Sequence, residues 1–137
     1  MTAQGEELLA WLDRAIGVRE QVAQGAARNR GTRWVRPVDT AKVRISAADL
    51  SFSVLNQEIA EHIIYNSPES VLRRCAADRK LIAAHPITRD VIDVYPDGRH
   101  GFGCSVCHTE DLLTIGSGWC DSLLALAEGY GWTEGER

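Results

Sequence analysis

The sequence predicts an α+β fold, mostly helical, with three to four helices and a small β-hairpin and knuckle element near the C-terminus. Three observations predict it. Apolar residues recur at three- and four-residue spacing in several separate stretches. Short runs rich in β-branched residues lie between them, bounded by Pro, Gly and Asp. Two cysteines sit close together in a glycine-containing segment, "GFGCSVCH". The 137 residues are enough for one hydrophobic core, and a composition that is 45% hydrophobic and 25% charged is ordinary for a globular chain. Residues 1–137 are expected to form a single domain, with a mainly helical body over 5–86 and the hairpin, knuckle and final helix over 87–132.

The elements follow in order. Leu8, Leu9, Leu12, Ile16 and Val22/Ala23 predict an amphipathic helix over 5–25, after which "GAARNRG" reads as a loop. "TRWVRPV" and "KVRIS" predict a small irregular β-element, connected through Pro37–Thr40. A second helix is expected over about 54–65, with Ser53 as its cap and Ile59, His62 and Ile63 on its inner face. In "NSPES", Ser67 can cap a third helix, Pro68 fits its first turn and Glu69 complements its N-terminal dipole. That helix carries Val71, Leu72, Cys75 and Ile82 inward and stops before Pro86, because a pre-proline residue resists the α conformation. Val91, Ile92, Val94 and Tyr95 predict a strand, with Pro96-Asp97-Gly98 turning the chain back towards Cys104. "LLTI" is a further short strand. The last helix starts at Trp119 or Cys120, runs to about Tyr130, and buries Leu123, Leu124, Leu126 and Ala127.

Charge is unevenly spread. The formal total is −4, which argues against non-specific nucleic-acid binding by the chain as a whole. Yet Arg14 to Arg44 holds eight basic residues and two acidic ones, a local +6. A solvated face is the simple reading of that asymmetry; a contact surface for an acidic partner is the other. Glu6, Glu7 and Asp13 interrupt any export-type apolar run, and no stretch of 18 apolar residues occurs. A cytoplasmic location is therefore expected, where clustered thiols act as metal ligands or redox groups rather than disulfides.

Cys104-Ser-Val-Cys107-His108 spells the attachment string of a c-type haem. The expected cytoplasmic location and the absence of any Met beyond Met1 oppose that reading. Adding Cys120 gives C-x2-C-x12-C, with the third thiol near a helix start. Two thiolates in one tight turn and a third from the next element are how zinc knuckles grip a tetrahedral ion. Zn2+ is thus the expected cofactor, with Cys104, Cys107 and Cys120 as ligands. Four candidates stand for the fourth place. His85 ends the third helix just before the knuckle and is the first choice. His108 adjoins Cys107, and neighbouring residues rarely ligate one ion comfortably. Cys75 and His62 lie on helix faces where a buried thiol or a core histidine is the ordinary outcome. His100 reads as a turn residue. A redox dithiol at Cys104/Cys107 is the next alternative, but such motifs open a helix after a central strand, and "HTEDLL" does not resemble one.

Three Cys and one His describe a closed structural site. No H-E-x-x-H, deaminase, P-loop, G-x-S-x-G or dinucleotide motif occurs, so an enzyme is the minority expectation. Two blocks, "AEHIIYNSPESVLRRCAADRKLIAAH" and "CDSLLALAEGY", resemble those of a family of small uncharacterised proteins found in actinobacteria and their phages. The likeness spans most of residues 5–130. The first family block ends on a His matching His85, and its "EHI" matches His62. Here "YNSP" stands where that family often has a second His and an Asp, and "CDSL" where it has "CPTL". The resemblance implies a ligand role for His85 and no assigned activity.

The expected function is a small zinc-binding interaction or regulatory module with an unidentified macromolecular partner, a protein before a nucleic acid. The runner-up is nucleic-acid binding through "RNRGTRWVR", with Arg28, Arg30, Arg33 and Arg36 on phosphates and Trp34 stacked on a base.

Overall fold

The structure is a computed structural model of the chain. It describes residues 3–28, 31–38, 40–45, 50–92, 101–116 and 118–133. Among these residues, four helices and short antiparallel strand pairs make an α+β, mostly helical fold, as the sequence predicts. The chain forms two compact units: 1–16 with 78–137, and 17–77.

Helix α1, Ala3–Ala27, is longer at both ends than the apolar spacing indicates. It runs through the Gly25 expected to break it, and Gly31 takes the turn at φ 82°. Leu8, Leu12, Ile16 and Ala23 are buried, whereas Val22 points outward.

The unit of residues 17–77 carries a three-stranded antiparallel sheet in the order β1 (Trp34–Val35), β2 (Lys42–Ile45), β3 (Leu50–Ser53). Register pairs Trp34 with Ile45, Val35 with Arg44, Val43 with Phe52 and Lys42 with Ser53. Strand β2 alternates exposed Lys42, buried Val43, exposed Arg44 and buried Ile45, so one face of the sheet meets the core and the other meets water. Strand β3 corrects the expected start of the second helix. Ser53 belongs to the sheet, and Asn56 caps the helix, its Oδ1 accepting the Ile59 N–H at 2.9 Å. Helix α2 is Gln57–Tyr65, with Ala60 buried. Helix α3, Pro68–Ala84, starts at the predicted Ser67-Pro68 and buries Cys75.

In the unit of residues 1–16 and 78–137, Pro86 ends α3 and the chain continues as β4 (Ile87–Thr88), which pairs with β5 (Gly103–Cys104). Cys104 therefore faces Ile87. Of the strand expected at 91–95, Val91 makes an isolated bridge to Thr114 and Ile92 donates to the Thr114 carbonyl at 2.9 Å. The rest of it, with the 96–98 turn and His100, lies outside the described residues. The hairpin of β6 (Thr109–Glu110) and β7 (Leu113–Thr114) follows, then α4 (Asp121–Gly129). Leu8, Leu12 and Ala127 form the core of this unit, packed by Trp11, Trp119, Leu124, Leu126 and Trp132. Trp11 and Trp132 meet edge to face at 5.1 Å. Tyr130 Oη donates to Asp78 Oδ2 at 2.5 Å, which ties the end of α4 to α3. Among the described residues, no helix is long and apolar enough to cross a membrane.

Candidate metal centre

Each of the three segments that meet here has a local reason to do so. Pro86 forces His85 out of the helix, and its carbonyl accepts from Ser105 N–H at 2.9 Å and Ser105 Oγ at 3.0 Å. That clamp, with the Ile87–Cys104 pair, lays the turn 104–107 beside the end of α3. Inside the turn, Cys107 N–H points at Cys104 Sγ (3.4 Å), and His108 N–H donates to the Cys104 carbonyl (3.1 Å). Cys120 arrives as the N-cap residue of α4, in extended conformation at φ −76°, ψ 153°. Gly118 makes that approach possible. It adopts φ 92°, which disfavours any side chain, and donates to the Phe102 carbonyl at 2.7 Å.

The result is a cluster of His85, Cys104, Cys107 and Cys120 whose ligand atoms all lie within 4.8 Å of one another. His85 Nδ1 stands 3.6 Å from Cys104 Sγ, 3.3 Å from Cys107 Sγ and 3.8 Å from Cys120 Sγ. A tetrahedral ion with sulfur at ~2.3 Å and nitrogen at 2.0–2.1 Å needs N···S separations of about 3.5 Å. The cluster is therefore spaced to hold a metal ion. Cys104 and Cys120 are fully buried on a floor of Leu123, Ile82, Ile87 and Trp119, and Cys107 is exposed. All four cysteines are free thiols.

Electrostatics separates the thiols. Burial works against ionising Cys104, but the N–H groups of Cys107 and Val106, then His85 and Cys120, outweigh it and bring the thiol down to about 7. Burial, helped by the charges of Cys104 and Cys107, pushes Cys120 up to about 11 against the pull of the Leu123 N–H. The pull of a helix N-terminus on a thiolate at Cys120 is thus overruled by desolvation and like charge.

The other fourth-ligand candidates are placed elsewhere. His108 Nδ1 accepts the Cys104 N–H at 3.1 Å, so that nitrogen is taken up by the backbone of the knuckle. The His108 ring is wedged so tightly that a Cβ on Gly116 would come within 2.8 Å of it. Cys75 is buried in α3 within the unit of residues 17–77. His62, expected inward, is exposed near the end of α2, where α2's capping turn places its carbonyl under Asn66. The hydrogen bond from Cys104 to His108 and the packing of that ring on Gly116 are not visible in the sequence, where the tight G-C-x-x-C-H spacing is their only trace.

The basic segment is dispersed. Trp34 shares a sheet face with buried Ile45, and its indole Nε1 is enclosed without a partner. Arg36 is engaged by Glu61 Oε1 at 2.8 Å. Arg28 and Arg33 are exposed, and Arg30 lies outside the described residues.

Compared with known proteins, residues 5–131 match the model of a family of unknown function, DUF6221. No curated protein and no solved structure matches the chain. With nearly its whole length matched, the chain belongs to the DUF6221 family.

Proposed function

We propose that this DUF6221 member is a small zinc-binding protein whose Cys3His site is structural, and that it works as an interaction or regulatory module rather than an enzyme. The single observation that carries the reading is His85 Nδ1 at 3.3–3.8 Å from three sulfurs, the spacing of a closed tetrahedral site. Thiolates with one imidazole suit Zn2+ over Mg2+ or Ca2+, which take oxygen ligands. Four protein ligands leave no position for the water or substrate that a catalytic zinc needs.

Bound there, zinc would fasten three segments: the end of α3, the 104–107 turn and the start of α4. The strands between them are two residues long and stabilise little by themselves, so metal binding would supply folding free energy to this unit directly. The free thiols and the metal reading fit a reducing compartment such as the cytoplasm.

Metal analysis of the purified protein tests the reading, with Cys104→Ser and Cys120→Ser alongside. One equivalent of zinc in the wild type and its loss in both variants is the expected result. Less than about half an equivalent would overturn it, since the site is built for one ion. A dithiol redox role instead predicts rapid alkylation of Cys107 without chelation.

A further inference from the structure

The formal charge of −4 conceals a division of charge between the two units. The unit of residues 1–16 and 78–137 has six Lys/Arg and thirteen Asp/Glu, a formal −7; residues 17–77 have nine and six, a formal +3. Within the positive unit, strand register sorts the side chains. Val35 opposes Arg44, Arg44 opposes Ser51 and Lys42 opposes Ser53, and directly opposed residues share a face. Arg33, two residues before Val35, belongs to the same side by alternation. The open face therefore carries Arg33, Lys42, Arg44, Ser51 and Ser53, all exposed, around half-buried Val35. None of its described residues is acidic. Trp34 and Phe52 lie on the opposite, core-side face, paired with Ile45 and Val43.

We infer that this open sheet face docks on the phosphate backbone of a nucleic-acid duplex without reading its sequence. Lys42 and Arg44, two residues apart on one strand, stand about 6.8 Å apart along it, a spacing that can serve neighbouring phosphates. The two serines add hydroxyl donors of the kind that contact phosphate oxygens. A protein partner needs an apolar centre to its interface, and among its described residues the face offers only Val35. A single strand needs aromatic stacking platforms, and the aromatic residues of this sheet point the other way. What remains is cationic contact with a duplex backbone, held to modest strength by the chain's overall negative charge. This names a partner for the interaction-module reading and rests on that part of it. Zinc content is measured separately, so loss of the metal site and loss of docking can be told apart.

The test is a fluorescence-polarisation titration of full-length, metal-loaded protein with two labelled DNA duplexes of unrelated sequence, between 50 and 200 mM NaCl. Three phosphate contacts give a slope of log K against log salt of about −2.7, a roughly forty-fold loss over that range. Equal affinity for both duplexes is expected. Lys42→Ala and Arg44→Ala should each reduce the slope by about 1, while Lys80→Ala, outside the face, should leave it unchanged. Lys42→Glu/Arg44→Glu should abolish binding with zinc content intact. No binding at 50 mM NaCl, binding unchanged in the double variant, tighter binding to a single strand, or equal binding to polyglutamate would each overturn the inference.

Discussion

The backbone N–H of Cys104 donates to the Nδ1 of His108 at 3.1 Å. The imidazole nitrogen that accepts this bond is occupied by the backbone of the knuckle itself. It holds the first cysteine of the knuckle in the orientation that brings its sulfur to His85. His108→Ala is therefore expected to retain four-ligand binding but weaken zinc affinity ~10- to 100-fold, the usual cost of losing a supporting hydrogen bond behind a metal ligand. Competition against a chromophoric chelator measures it; affinity equal to wild type would show that the bond positions nothing.

His85→Ala should behave differently. It removes a ligand, so stoichiometric binding should fail, while His62→Ala, on an exposed helix position, should bind as wild type does. In wild type, chelation should lower the thermal midpoint of the unit that carries the site, because ligand release removes the stabilisation that mass action supplies. Calorimetry with and without a strong chelator reads both effects.

Gly103 and Gly116 are the narrowest places in the knuckle. A Cβ on Gly103 would overlap the Gly116 carbonyl oxygen, and one on Gly116 would meet the His108 ring at 2.8 Å. Each Ala substitution should destabilise by about 1–3 kcal/mol. Gly103→Ala should be the worse, since a backbone carbonyl yields less readily than a ring. Urea unfolding of both variants checks the order.

The turn of the β6–β7 hairpin is built from Asp111 and Leu112, with φ of 47° and 68°. Such a turn favours Asn-Gly, and a leucine there is strained by roughly 1 kcal/mol. Leu112 is 97% exposed, so it contributes no packing in the chain alone. Leu112→Gly is expected to leave stability unchanged or raise it by up to about 1 kcal/mol, read from the urea midpoint.

Metal loading should release protons. At pH 7 the metal-free Cys120 thiol, pushed up to about 11, is protonated, and Cys104, near 7, is about half so. Ligation takes thiolates, so zinc must displace those protons. Apparent affinity then rises with pH and falls as the solution is acidified below 7, where Cys104 also protonates. Calorimetric titration in buffers of different ionisation enthalpy should show at least about one and a half protons released per zinc from these two thiols at pH 7.

Helical parts of the fold were legible because their signals are local. Ser67-Pro68 marks the start of α3, Pro86 marks its end, and the Leu8/Leu12/Ile16 spacing marks the buried stripe of α1. The strands were not, because two- and four-residue strands are defined by pairing rather than by their own sequence. Leu50–Ser53 reads as the approach to a helix until β2 is seen to pair with it. From the sequence Trp34 can be either a stacking platform or a buried strand residue; register puts it opposite Ile45, on the buried face.

By itself, the sequence determined the chemistry at hand: three thiols at C-x2-C-x12-C spacing, a histidine forced out of a helix by the following proline, and a family likeness over most of the chain. Tertiary structure decided which nitrogen meets which sulfur. His85 and Cys120 are separated by 35 positions, and only the Ile87–Cys104 pairing and the burial of Leu123 beneath the cluster bring their atoms to 3.8 Å. It also separated His108 from that set, because its Nδ1 accepts the Cys104 N–H and its ring packs against Gly116. Residue type and spacing limit which ions a chain can bind; long-range packing selects the ligands, since it alone fixes distances between residues far apart in the chain.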